Sequence, residues 1–84
     1  MKCLYTRRFV RSFNKLPKDV QEEVLHAVTR FQQSPRDTSL QLHKLSGDLK
    51  KFHAFSANFA YRIIVYIKKD TAQFVTVGSH DIYR

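Results

Sequence analysis

The chain has 84 residues, of which 15 are Lys or Arg and 7 are Asp or Glu, for a formal net charge of +8. That length holds one domain with a small core, and 43% hydrophobic residues with only two Gly and two Pro exclude a disordered or loop-built chain. The charge excess points to a polyanionic partner: nucleic acid, an anionic membrane surface or an acidic protein. One cysteine, Cys3, excludes an internal disulfide framework and suits a reducing compartment. No apolar run reaches about 18 residues, so no transmembrane helix is expected. The N-terminus MKCLYTRRF lacks an apolar signal core. The expected location is the cytoplasm, with no membrane partner.

Residues 2–5 read as an edge strand. Thr6 can cap a helix over residues 7–16, in which Phe9, Phe13 and Leu16 form one apolar face. Arg8, Arg11 and Lys15 form a basic stripe on the same helix. Pro17 ends it and suits the first turn of a second helix over residues 18–33. Val20, Val24, Ala27, Val28 and Phe31 line one side of that helix, and Asp19, Glu22 and Glu23 sit in its early turns, as the helix dipole favours. Residues 36–48 form a connector. The period then changes to two, with strands over 49–56, 60–68 and 71–77, the last ended by Gly78. The run Ile63-Ile64-Val65-Tyr66-Ile67 is apolar on both faces, so its strand should be central. The order β-α-α-β-β-β predicts a single α+β domain over residues 1–84: an N-terminal strand, a helical hairpin and a three-stranded antiparallel meander, with the helices on one face of the sheet.

The register of the last two strands stays open. A two-residue turn at Lys69-Asp70 pairs Lys68 with Thr71 and Arg62 with Val77, which puts Arg62 and His80 on opposite faces. A three-residue loop, or a bulge at Gly78, pairs Arg62 with Gly78 and puts both side chains on one face.

Four stretches carry a resemblance: Phe9 through Leu16-Pro17, then Leu42-His43-Lys44-Leu45-Ser46-Gly47-Asp48-Leu49-Lys50, then Tyr61-Arg62-Ile63-Ile64-Val65-Tyr66, and finally Val77-Gly78-Ser79-His80-Asp81-Ile82-Tyr83-Arg84. In order and spacing the chain resembles the RelE/ParE toxin superfamily over essentially its whole length, nearest in active-site pattern to the YoeB-like and YafQ-like mRNA interferases. The resemblance implies a toxin of a type II toxin–antitoxin system. It further implies a metal-independent endoribonuclease that inhibits translation by cutting mRNA on the ribosome. The implied partners are a cognate antitoxin, mRNA and the 16S rRNA of the ribosome. The ParE branch instead poisons DNA gyrase without enzymatic activity, and a degenerate member would bind only its antitoxin or operator DNA. Both remain alternatives.

Metal-free RNA cleavage needs a base for the 2′-OH proton, a cation for the phosphorane and an acid for the leaving 5′-oxygen. Arg62, early in the central strand, stands where packing gives no reason for a charge, and a guanidinium can grip a phosphate through two bonds. The competing role is an ion pair with Asp48 or Asp81. His80 follows the last strand and titrates near neutral pH, as a general acid should. The resemblance implies these roles for Arg62 and His80, and offers His43 as the base. Lys50, Lys51 and His53 are expected at the start of the first long strand, with Lys51 and His53 on one face, as RNA-binding groups. Tyr83 and Arg84 close the chain, and the Tyr83 ring could stack on a base. YoeB-like members carry their aromatic directly after the histidine, where this chain has Asp81. The stripe Arg8, Arg11, Lys15 is assigned to rRNA or antitoxin contact. No metal or small-molecule cofactor is expected. One cysteine and four scattered histidines make no zinc spacing, Asp37, Asp48, Asp70 and Asp81 are spread over loops, and there is no Gly-rich phosphate loop.

Overall fold

The computed structural model describes residues 1–79; residues 80–84, and with them His80, Tyr83 and Arg84, lie outside the described part. The elements are β1 (Lys2–Tyr5), α1 (Arg7–Asn14), α2 (Lys18–Gln33), β2 (His43–Lys44), β3 (His53–Ser56), β4 (Tyr61–Lys68) and β5 (Thr71–Ser79), with single 3₁₀ turns at Thr38–Leu40 and Gly47–Leu49. One five-stranded sheet runs in the order β1-β5-β4-β3-β2. The α+β class, the strand-first order and the central place of β4 are as expected. The sheet is mixed rather than wholly antiparallel, because β1 lies parallel to β5. The connector also contributes a two-residue strand, β2, antiparallel to β3.

Two expected strand bounds are corrected. The first long strand begins at His53, not at residue 49. Gly47 takes a left-handed φ of 65° and starts a tight turn, in which Lys50 N–H donates to the Gly47 carbonyl and Phe52 N–H to the Leu49 carbonyl. These bonds divert the backbone from sheet pairing. Strand β5 runs through Gly78 to Ser79 because Arg62 and Tyr61 continue to pair with it.

Apolar spacing explains the layers. Val24, Ala27, Val28 and Phe31 of α2 and Phe9 of α1 pack against Phe55, Ile63, Val65, Ala72, Phe74 and Val77 of the sheet. Phe31 and Phe55 stack at 4.6 Å between ring centroids, and Phe74 meets Phe31 edge-on at 5.8 Å. Buried Phe74 and Val77 lie three apart in sequence, which strict alternation forbids. A bulge resolves the conflict. Val65 pairs with Phe74 and Ile64 with Thr76, leaving Val75 as the extra residue.

Helix α1 is fixed to this irregular strand. The Thr6 hydroxyl accepts from Phe9 N–H and lies 2.9 and 3.0 Å from the carbonyls of Phe74 and Val75, to either of which it can donate. Strand β1 stops pairing at Phe74, and beyond it the Ser12 hydroxyl accepts from Val77 N–H at 3.2 Å.

Removing the ring at the centre of the core should be costly. We expect Phe31→Ala to lower stability by about 3–5 kcal/mol, as for other buried Phe truncations, measured by equilibrium urea denaturation.

Candidate functional site

The face of the sheet opposite the helices is set by the β4 register. Tyr61, Ile63, Val65 and Ile67 point into the helical core, so Arg62, Ile64, Tyr66 and Lys68 belong to the other face. Two rows cross that face near the β3–β4 turn. One is His43–Ala54–Ile64–Thr76; the other is Ser56–Arg62–Gly78. The last turn has two residues, with Lys68 opposite Thr71, yet Arg62 pairs with Gly78 because the bulge at Val75 shifts the register. Neither a three-residue loop nor a bulge at Gly78 is involved. His43 and Arg62 stand two strands and two residues apart, roughly 12 Å between Cα atoms at ordinary sheet spacings. The residues beside Arg62 in its row are small, Ser56 and Gly78.

Arg62 is held by carbonyl groups. Its Nη1 lies 2.8 Å from the Asn58 carbonyl and 3.1 Å from those of Phe59 and Tyr61. No ion pair with Asp48 is formed, and the one ion pair among the described residues is Arg30–Asp37 at 3.3 Å. Only Nη1 of the guanidinium bonds a protein group among the described residues, and Asp81, the other candidate ion-pair partner, lies outside them.

The turn that supplies those carbonyls is itself fixed. The Asn58 side-chain oxygen accepts from the N–H groups of Ala60 and Tyr61, both at 2.8 Å, and its amide donates to Glu23 of α2 at 2.8 Å.

His43 is exposed on β2, with Nδ1 2.9 Å from the Gln41 carbonyl. A carbonyl can only accept, so Nδ1 carries the proton and the neutral ring presents a bare Nε2. Gln41 takes a left-handed φ of 54°, and its side-chain oxygen accepts from the Ser56 hydroxyl at 3.1 Å. Gln41 and Ser56 therefore link His43 to the row that holds Arg62. Neither was legible in the sequence, because both act through positions set by strand pairing. Asn58 had a local signal, as an Asx residue in a turn between two strands.

Other expected residues are not gathered there. Lys50 and Lys51 lie in the turn before β3, and both are exposed. Lys51 and His53 do not share a face as expected. Lys51 stands 5.3 Å over the Phe52 ring and lines a hollow of about 410 Å³ with Tyr66 and Gln73, four residues along β4 from Arg62. His53 pairs with core-facing Val65, and its Nδ1 is buried without a partner. Burial pushes its imidazole below the ordinary value, and the charges of Lys44 and His43 push the same way. His53 stands on the core side of the sheet, apart from Lys51. Arg8 and Arg11 of α1 and Lys15 at its C-terminal end are exposed, in the helical layer. No helix among the described residues is long and apolar enough to cross a membrane.

No protein-family model matches the sequence, and no curated protein does. Solved structures do match. YafQ from E. coli strain BL21(DE3) superposes with a TM-score of 0.82 at 13% identity, over 98% of this chain and 96% of that one. The YoeB/ParE toxin from Agrobacterium tumefaciens gives 0.77 at 12% identity, over 95% and 99%. The RelB–RelE antitoxin–toxin complex from Methanococcus jannaschii gives 0.77 at 22% identity, over 95% and 94%. The chain has the fold of the RelE/ParE toxins. The identities are low beside the structural agreement, so the likeness is one of fold.

His53 yields a prediction with a definite sign. Its folded pKa lies below the unfolded value of about 6.5, so the unfolded chain binds the extra proton. The stability it contributes is full above about pH 6.5 and declines as pH falls through the window beneath. Between about pH 7.5 and about pH 5 the urea midpoint of the native chain should drop more than that of His53→Phe.

Proposed function

We propose that the chain is the toxin of a type II toxin–antitoxin pair and acts as an endoribonuclease that cleaves mRNA by 2′-OH attack. The observation that carries this reading is the placement of Arg62 and His43 on one face of the sheet, the first with guanidinium donors that bond nothing among the described residues and the second with its Nδ1 held by the Gln41 carbonyl. In the proposed reaction His43 Nε2 takes the 2′-OH proton as the 2′-oxygen bonds to phosphorus. Arg62 holds the charge that builds on the non-bridging oxygens. The bond from phosphorus to the 5′-oxygen breaks, and His80, outside the described residues, is assigned the proton that the leaving oxygen receives. The products are a 2′,3′-cyclic phosphate and a 5′-hydroxyl. RNA supplies its own nucleophile, so no activated Ser or Cys is required.

The net charge of +8 supports a polyanionic substrate whose affinity falls with salt. It equally supports an acidic antitoxin. The fold is shared with a toxin solved in complex with its antitoxin, and we assign this chain a cognate partner of that kind. The partner is expected to be the product of a small neighbouring reading frame and to lay an amphipathic helix on the sheet or the helical hairpin. The ribosome, with its 16S rRNA, is the proposed place of cleavage.

The test is mRNA cleavage in a translating extract, with 5′-ends mapped. Arg62→Lys keeps the charge but loses the planar fork, and should slow cleavage by about 10²–10³-fold. His43→Ala should slow it by about 10²–10⁴-fold. Cleavage that survives both substitutions unchanged rejects the site. No cleavage by the native chain, together with blocked supercoiling by gyrase, moves the protein to the non-enzymatic branch.

A further inference from the structure

Among the described residues Phe59 is the one phenylalanine left almost fully exposed. Its exposure is 93%, whereas Phe9, Phe31, Phe55 and Phe74 are buried and Phe13 and Phe52 are partly so. It stands at the tip of the β3–β4 turn, where a polar residue would cost nothing. The turn gives the ring a fixed base. Asn58 bonds the backbone on the far side of Phe59 twice and ties the turn to α2, and Ala57 N–H donates to the Tyr61 carbonyl at 3.1 Å. The Phe59 carbonyl itself lies 3.1 Å from Arg62 Nη1. The turn that carries Phe59 and the guanidinium of Arg62 are therefore in direct contact.

Beside the ring is a hollow of about 250 Å³ lined by Arg30, Ser39, Gln41, Ser56, Asn58 and Phe59 among others. Its walls offer hydroxyls, amides and a guanidinium, groups that meet the edge of a base while an aromatic ring meets its face. A lone aromatic set among polar groups is a poor match for a protein interface, whose centre is a contiguous apolar patch.

We propose that Phe59 is a stacking platform for the nucleobase attached to the phosphate that Arg62 holds, and that the adjoining hollow receives the edge of that base. The proposal rests on the reading of Arg62 as a phosphate ligand. It makes the β3–β4 turn the part of the site that senses which nucleotide flanks the cut.

The test uses the full chain and an mRNA made uncleavable by one 2′-deoxynucleotide at the cut site, presented free and in programmed ribosomes. Phe59→Ala should weaken binding about tenfold, the loss of one base–aromatic stack, and Phe59→Trp should restore it. An abasic nucleotide next to the cut should weaken binding to the native chain by the same factor and to Phe59→Ala no further. Arg62→Lys serves as the reference. If it weakens RNA binding and Phe59→Ala does not, the stacking platform is overturned and the nuclease reading stands. If the native chain binds no RNA in either form, both fall. Independent, additive losses from Phe59→Ala and the abasic site also overturn it. So does a Phe59→Ala chain that binds RNA normally but no longer binds its antitoxin. Circular dichroism checks that each variant is folded.

Discussion

The extra residue in β5 decides which side chains share a face. Phe74 and Val77 must both reach the core, and they lie three apart, so one residue has to be absorbed without pairing. Val75 takes that place. Upstream of it β5 alternates in one phase, and downstream in the other. The phase change puts Gly78, not Val77, opposite Arg62. Thr6 and Ser12 hold the bulged strand from its outer side, with hydroxyls aimed at the carbonyls of Phe74 and Val75 and at Val77 N–H. Packing of the helical layer and geometry of the open face are thus two results of one irregularity.

The site is polar where it is organised and small where it is open. Gln41 and Ser56 join β2 to β3, and through the Gln41 carbonyl they decide which imidazole nitrogen of His43 carries its proton. Asn58 organises the turn whose carbonyls grip Arg62. None of these groups carries a net charge. They direct two groups that are assigned the proposed chemistry.

The frame was legible in the sequence because it depends on local signals. Thr6 at a helix start, Pro17 between helices and the doubly apolar run from Ile63 to Ile67 each act within a few residues. The position of β1 beside β5, and the pairing of His43 with Ala54, are contacts between distant parts of the chain that no period encodes. Arg62 could be singled out as a charge in an apolar strand and His43 through the resemblance, and the faces they occupy could not. The bulge did leave a trace, in the three-residue step from Phe74 to Val77, but that step also fits a strand ending at Gly78. His53 was misjudged because its neighbours Lys50 and Lys51 suggested a basic strand edge, whereas Gly47 turns the chain and delays the strand until His53 faces inward.

Arg62 has a structural employment beside the proposed one. Its guanidinium closes a ring of three carbonyls and so keeps a reversal of the chain in shape, whatever else it does. A descendant that had lost all activity would still be under pressure to retain arginine there, simply to stay folded. Persistence of this residue in a distant relative is therefore no mark of a working enzyme, and His43, whose ring bonds only the Gln41 carbonyl among the described residues, is the more informative position to inspect.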